Sequence, residues 1–429
     1  MPDLTVGPRS EDIQPSLPAW RSPVSFIYSI TISFPGGWNM RKVAIVGAGL
    51  SKWGARAATW KEMVQEAGKM LFDTTKNLDK KDIDSLIVGA AQPERFTFQT
   101  HVAPMVAEEL GVNPTKVIMR TELACASGQC AIRVAYASIA AGLSDVALVV
   151  GAEKMNLPNM AEAQTSMACV LDREWEGVQG YSAPPFFALV AQAHMRKYGT
   201  TREQLSMVSQ KNHRFSATNP YAQFYKEYSL DDISNSLMIS PPLRLLDCSG
   251  ITDGAAAVLL TTEENAKKFS DTPAHIIGTG QSAMGNLIYK HRDMATWEPC
   301  KAAAKEAYRS AGITAKNIDF AETHDCFTIS EIMEYEDLGF CEKGKGGKFV
   351  EDGQSDLGGK VPINTRGGLI GCGHPLGATG IGQAIEIFWQ FNSLVPKKRQ
   401  VARANKALAH NLSGLANVHS ILVYGRDAK

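Results

Sequence analysis

Lys42-Val43-Ala44-Ile45-Val46-Gly47-Ala48-Gly49 opens the patterned part of this chain, and its ending returns far downstream as Ile277-Gly278-Thr279-Gly280. Each copy closes an apolar run that reads as a buried strand. The echo continues beyond the strands. Trp60 and the helical stretch behind it are matched by Trp297 and residues 299–311, and Lys81-Asp82-Ile83-Asp84 is matched by Lys316-Asn317-Ile318-Asp319. Three segments in one order and nearly one spacing indicate duplication of a single α/β unit. Residues 43–46, 85–88, 145–151 and 256–261 read as strands, and residues 60–75, 102–110 and 131–141 as helices between them. This alternation predicts parallel sheets covered by helices. Residues 155–240 have no counterpart and read as an inserted loop domain. The expected organisation is a first half over 40–270 that contains this insert, and a second half over 271–429.

Gly47-Ala48-Gly49 after a first strand invites a dinucleotide-binding reading, but the third glycine falls at Gly54, one position late. No acid ends a second strand where a ribose would need it. A tight turn is the better expectation. Residues 1–39 differ from the rest: they are Pro-rich and weakly patterned, with one apolar patch at 24–34, and read as a disordered leader. Asp3, Glu11 and Asp12 argue against a transit peptide.

The 44 basic and 44 acidic residues cancel, so charge offers no reason to expect a nucleic acid or a membrane surface as partner. No apolar run reaches the roughly 18 residues that span a bilayer. The eight cysteines form no CxxC pair and no regular framework. That pattern predicts reduced thiols in a cytoplasmic protein and no metal site.

Three motifs carry chemistry. Ala124-Cys125-Ala126-Ser127-Gly128-Gln129 places a cysteine among small residues at the start of a helical pattern. A helix N-terminus favours the thiolate, and small neighbours let a bulky substrate approach the sulfur. His324-Asp325-Cys326-Phe327 falls between a strand and a helix of the second half, where open sheets gather ligands. Gly367-Gly368-Leu369-Ile370-Gly371-Cys372-Gly373-His374-Pro375-Leu376-Gly377-Ala378-Thr379-Gly380 holds six glycines in fourteen residues, which a chain tolerates where backbone turns sharply or meets a ligand. His374 precedes a proline that biases it away from helix, and a helix near Gly377 would aim its amides at the same space.

Cys-Ala-Ser-Gly, His-Asp-Cys-Phe and Gly-His-Pro-Leu-Gly-Ala-Thr-Gly, in this order and spacing, resemble the thiolases. The His-Asp-Cys-Phe form is similar to the sterol-carrier-protein type and its archaeal and bacterial relatives. Lys211-Asn212-His213, Asn219-Pro220 and the run from Pro242 to Ala257 extend the likeness, which covers residues 40–426. The resemblance implies a duplicated α-β-α layered fold with an inserted loop domain. It also implies an acetyl-CoA C-acyltransferase, condensing acetyl-CoA or cleaving a 3-oxoacyl-CoA through an acyl-cysteine.

Cys125 would be the nucleophile, His374 its activating base, and His324 a donor to the developing charge. Many thiolases take their second acid/base from a C-terminal Cys-x-Gly loop. This chain has Ala409-His410-Asn411-Leu412-Ser413-Gly414 there, which leaves Cys326 and His410 as rivals. Lys211, His213 and Arg214 are candidate contacts for the anionic end of coenzyme A. Arg366 either reads a second carboxylate on a dicarboxylic or aromatic acyl-CoA, or pairs with a nearby acid. Met155, Met160, Met167 and Pro184-Pro185-Phe186-Phe187 either line an acyl pocket or pack as core.

Coenzyme A thioesters are the substrates, with no covalently bound cofactor. The resemblance further implies a homodimer and a small zinc-ribbon/OB-fold protein as a further subunit. Two other functions compete. A ketoacyl-synthase-like enzyme shares the nucleophile but lacks the Gly-His-Pro loop, and a scaffold subunit would form no acyl adduct at Cys125.

Overall fold

The structure, a computed structural model, describes residues 40–428, so the leader expected over 1–39 lies outside the described residues. Nine strands form one sheet in the order β3-β2-β4-β7-β1-β8-β11-β10-β9. They are β1 (Val43–Leu50), β2 (Ser85–Gly89), β3 (Ile118–Thr121), β4 (Val146–Glu153), β7 (Gly254–Thr262), β8 (Ala274–Ala283), β9 (Phe320–Glu322), β10 (Lys406–Ser413) and β11 (Val418–Gly425). A separate small hairpin joins β5 (Met238–Ser240) to β6 (Leu243–Arg244).

Outward from the middle the order is β1-β7-β4-β2 on one side and β8-β11-β10-β9 on the other, so the duplication is visible as two mirrored runs. They meet where β1 pairs with β8 through Ala44↔His275 and Ile45↔Ala274. Even the edge position recurs. β3 lies parallel beside β2, and an isolated parallel bridge sets Ile363 beside Ala321 of β9.

The sheet is mixed, which corrects the expectation of parallel sheets. β2 runs parallel to β3 and β4, and β9 to β10, but β1, β4, β8 and β10 each have antiparallel partners. Parallel neighbours need a crossover helix between them; β10 and β11 are joined by a short turn and can only run antiparallel.

The paired glycines are also corrected. Gly47 and Gly49 lie within β1, not in a turn, and Gly278 and Gly280 hold the same places in β8. A Cβ on Gly49 would collide with the Ala67 carbonyl, and one on Gly280 with the Ala303 carbonyl. The missing side chains let the helices Trp60–Thr74 and Glu298–Ala311 lie directly on their strands.

Helices Ser127–Ala140 and Leu376–Phe391 occupy equivalent places in the two halves and pack on each other inside the molecule. Nearly every residue of Leu376–Phe391 is buried, consistent with a helix apolar on all sides. A Cβ on Gly128 would sit 2.5 Å from the Gly377 carbonyl oxygen. A Cβ on Gly377 would strike the Gly89 carbonyl and lie 2.9 Å from the Ala152 oxygen and from the Ala90 Cα. All of these obstacles are backbone, which cannot swing aside. Gly377→Ala is therefore expected to cost about 3 kcal/mol, read as a lower urea midpoint, and an unchanged midpoint would refute this packing account.

The insert carries helices Ala183–Tyr198 and Arg202–Ser216. It reaches the second half through Phe187, stacked 4.5 Å from Phe327. No helix among the described residues is long and apolar enough to cross a membrane.

Candidate active site

Cys125 lies in a single 3-10 turn, Ala124–Ala126, that runs straight into the helix Ser127–Ala140. The turn is fastened by Ser127, whose hydroxyl donates to the Ala124 carbonyl at 2.7 Å and accepts from the Leu123 N–H at 2.9 Å. Ala124 is held at φ 44, a left-handed conformation that an alanine rarely adopts. Strain of this kind presents the Cys125 side chain at a sharp corner. The sulfur lies among Ala91, Phe96, Met155 and Leu376, with Leu157, Met167 and Ile251 around them. Met155 and Met167 thus join the apolar wall at the nucleophile, whereas Phe186 and Phe187 belong to the core of the second half.

That apolar wall reverses the expected electrostatics of Cys125. Burial pushes its thiol up to about 12, although the amides of Cys125 and Gly414 donate toward the sulfur. The residue keeps part of its surface open, yet the desolvated sulfur outweighs the helix terminus. The resting group is a neutral thiol, not a thiolate.

His374 supplies the partner. Its Nδ1 lies 2.7 Å from the Thr379 hydroxyl, which itself donates to the Pro375 carbonyl at 3.0 Å. With the hydroxyl proton so used, Nδ1–H must be the donor and Nε2 keeps its lone pair. Nε2 is buried without a protein partner. Burial, aided by the nearby Arg366 charge, lowers His374 to about 3, so the imidazole is neutral and free to accept a proton. Ligating atoms of Cys125, His324 and His374 all lie within 4.8 Å of one another. The two imidazoles meet edge to face with centroids 4.8 Å apart. His324, between β9 and the helix Thr328–Asp337, is also held neutral by burial, and both its ring nitrogens lack protein partners.

Cys326 is buried in the same loop, with Sγ 3.7 Å from the Ser330 hydroxyl. Burial raises its thiol well above the usual range, and Cys125 is next among the causes, which sets the two sulfurs near each other. His410 belongs to a different group. Its Nε2 lies 2.9 Å from His419 Nδ1 and 3.9 Å from Cys300 Sγ.

The loop bearing His324 and Cys326 is pinned by its own Asp325. That carboxylate accepts from the Leu369 and Ile370 amides at 2.7 and 3.2 Å, and from Asn212 Nδ2 at 2.7 Å. Asn212 and Asn364 also donate to Glu331, at 2.6 and 2.9 Å. Lys211 enters here rather than at a solvent face: it is buried, 2.7 Å from Glu331 and 2.6 Å from the Ile363 carbonyl. His213 is buried against Tyr228 and Phe224, and burial lowers it to about 4. Arg366 is packed 4.4 Å over the Trp53 ring and 4.0 Å from Glu322, the acid-paired arrangement of its two expected roles. Of the four residues expected to bind coenzyme A or substrate, only Arg214 reaches the surface, where it pairs with Asp356.

Three participants escaped the sequence reading. The Gly414 amide faces Cys125 from the turn after β10, within a segment noted for its missing cysteine and for His410. Thr379 sets the His374 tautomer, and lay unremarked inside the glycine-rich motif. Glu153, at the end of β4, accepts from the amides of Ala91, Gln92 and Gly377 at 2.8, 3.2 and 3.0 Å. Burial raises it to about 7. The amide expected to point at substrate from Gly377 is thus already engaged.

A cleft of about 480 Å³ opens at Ala124, next to Cys125 in the chain, between Gln92, Arg95, Cys169, Ser413 and Gly414. A larger one of about 790 Å³, between Glu62, Lys69, Lys80 and Glu109, has no cysteine or histidine in its wall.

Comparison with known proteins adds an independent line. Residues 43–264 match the family model "Thiolase, N-terminal domain", and residues 280–426 match "Thiolase C-terminal domain-like". An acetyl-CoA acetyltransferase of Methanothermobacter thermautotrophicus is 38% identical over 388 residues, covering 90% of this chain and 100% of that protein. Sterol carrier protein 2 of Bos taurus is 34% identical, covering 89% of this chain and 72% of that protein. Among solved structures, the Ltp2-ChsH2(DUF35) aldolase shares the fold with a TM-score of 0.78 at 24% identity, over 91% of this chain and 99% of that one.

Two outcomes follow from the geometry. Alkylation of Cys125 by iodoacetamide should rise steadily between pH 6 and 9, with no plateau of the kind a preformed thiolate gives. Thr379→Val, which frees the His374 tautomer, should slow acylation of Cys125 about 100-fold in single-turnover measurements; a wild-type rate would dismiss the tautomer argument.

Proposed function

The chain belongs to the thiolase family, and from that premise we propose that Cys125, His374, His324 and Cys326 perform its two half-reactions. The activity is acyl transfer of the acetyl-CoA C-acyltransferase kind, with an acyl-enzyme in the middle. His374 Nε2 takes the Cys125 proton as the sulfur attacks the thioester carbonyl in condensation, or the 3-oxo carbonyl in thiolysis. The Cys125 and Gly414 amides supply donors where the acyl oxygen gains charge. Collapse expels the leaving group, coenzyme A in condensation or acetyl-CoA in thiolysis, with a proton supplied by Cys326, which is left as a thiolate while His374 holds the Cys125 proton. In condensation the Cys326 thiolate then removes the α-proton of a second acetyl-CoA, His324 donates to the enolate oxygen, and the carbon attacks the acyl-cysteine, breaking its C–S bond so that Cys125 leaves as a thiolate and regains its proton from His374. Thiolysis is the same path reversed. The observation that carries the reading is the convergence of Cys125, His324 and His374 within 4.8 Å on loops from both halves.

The remaining assignments are part of the same proposal. The halves 40–270 and 271–429 each supply a share of the site, and the insert at 155–240 shelters the thioester. β3 is an edge strand with Ile118 and Met119 exposed, which supports a homodimer closed along that edge. A small zinc-ribbon/OB-fold partner is supported by the solved aldolase, whose title names a DUF35 component. A cytoplasmic site of action fits the eight free thiols. Coenzyme A thioesters are the substrates, with no covalently bound cofactor.

Incubation with acetoacetyl-CoA followed by intact-mass spectrometry should show one acetyl adduct, absent in Cys125→Ala. That variant should lose more than about 10⁴-fold in turnover. Cys326→Ala should still acquire the adduct from acetyl-CoA, whose thiolate leaves without an acid, but not from acetoacetyl-CoA, and should lose exchange of the acetyl-CoA methyl protons with deuterated water. No adduct on the wild-type chain, alone or with a DUF35-type subunit, would turn the reading towards a scaffold.

A further inference from the structure

His410 has no part in the steps above, yet it anchors a fully buried polar group beneath them. β10 and β11 pair with His410 opposite Ile421 and Leu412 opposite His419, so the two histidines are diagonal neighbours on one face of the sheet. Their rings stack 5.2 Å apart at 20°. His419 Nε2 lies 2.9 Å from the Ala416 carbonyl and must donate to it. Its Nδ1 then carries the lone pair, and accepts from His410 Nε2–H at 2.9 Å. This leaves the lone pair of His410 on Nδ1, which faces Glu334 Oε1 at 3.4 Å. Neither atom makes a hydrogen bond as placed, and with the lone pair on Nδ1 a bond here requires the Glu334 carboxyl to carry the proton. Burial raises that carboxyl well above its ordinary range, which agrees.

Both ends of this chain of groups reach catalytic loops. Glu334 lies against the His324 backbone N–H and the Thr323 hydroxyl. Ala416 sits two residues after Gly414 in the turn whose amide faces Cys125. Ala416 and Gly414 are both in the left-handed region, at φ 56 and 59, so that turn needs an external fastening.

We propose that Glu334, His410 and His419 form a buried strut that holds the Gly414 amide at a fixed distance from the His324 loop. They are positioning residues for the acyl-oxygen site, and His410 exchanges no proton with substrate. The proposal rests on the thiolase reading of Cys125 and Gly414.

The directed pattern of protons makes the strut testable. Glu334→Gln keeps a neutral donor toward His410 Nδ1 and should retain acylation within about twofold, whereas Glu334→Leu should lose about 10-fold. His419→Phe preserves the ring shape but removes both nitrogens. It should speed hydrogen–deuterium exchange over residues 413–418 and slow acylation and deacylation of Cys125 together, at an unchanged KM for coenzyme A.

Three results would overturn the strut. His410→Ala could abolish methyl-proton exchange and leave acylation intact, which would make His410 the acid/base. Glu334→Gln could be as damaged as Glu334→Leu, which would require an ionised carboxylate. As-purified protein could carry one zinc that is lost in Cys300→Ser; Cys300, His410 and His419 stand within 4.8 Å of one another, and an ion would replace the bond between the imidazoles. Wild-type protein that forms no acyl adduct would instead refute the underlying reading, so the two failures are distinct.

Discussion

The site depends on how closely two equivalent helices approach. Ser127–Ala140 and Leu376–Phe391 come from the two copies of one α/β unit, and they touch through Gly128 and Gly377 at their first turns. Cys125 stands two residues before the first helix, and His374 two residues before the second. Contact between the helix starts therefore forces Cys125 and His374 together, and no side chain could be inserted at that contact without driving backbone into backbone. Duplication explains why both come from corresponding positions. Neither half can assemble the pair alone.

The electrostatics follow from the same closeness. Packing two helix starts against β4 and the His324 loop excludes water, and in a dry site the neutral form of every group gains. The thiol of Cys125 rises, while His324 and His374 fall. The Cys125 and Gly414 amides do not dominate at the sulfur, because its desolvation outweighs them. A neutral thiol beside a neutral imidazole holds its charge separation until a carbonyl arrives. At that moment the Cys125 and Gly414 amides have an anion to meet, and preorganised donors are most effective in such low-dielectric surroundings.

Much of this was legible in the sequence, for reasons that also explain what was not. Residues 43–46 and 85–88 read as strands because a strand buried on both faces must be apolar throughout. Cys125, His324 and His374 could be named because small and glycine-rich surroundings mark places where backbone approaches a ligand. Strand direction was misread, since apolar runs carry no polarity and the insert hides how the chain returns to β7. Gly47 and Gly49 were misread as a turn because a glycine demanded by a neighbouring helix looks, in one dimension, like one demanded by φ. Lys211 was expected to face coenzyme A and Arg366 either a substrate carboxylate or a nearby acid, and each lies beside a buried acid, Glu331 and Glu322. Such pairs, 211 with 331 and 322 with 366, are invisible until the fold joins them. The direction of the Cys125 shift was missed because a helix terminus is written in local sequence, whereas desolvation comes from Phe96, Met155 and Leu376, three distant segments.

The rivalry between Cys326 and His410 turns on the two-residue period of β10. Leu408, His410 and Leu412 face the core shared with Glu298–Ala311 and Thr328–Asp337, while Ala407 and Ala409 face the central helices that carry Cys125 and His374. His410 faces the same core as Cys326, but its Nε2 is taken up by His419 and its Nδ1 faces Glu334. Cys326 is under no such constraint, because it lies beyond the end of β9 in the loop that also carries His324. A chain with no cysteine after Cys372 can still present a second thiol, provided it leaves a strand end rather than a strand face. The outward side of β10 is then free to carry the strut whose far end sets Gly414.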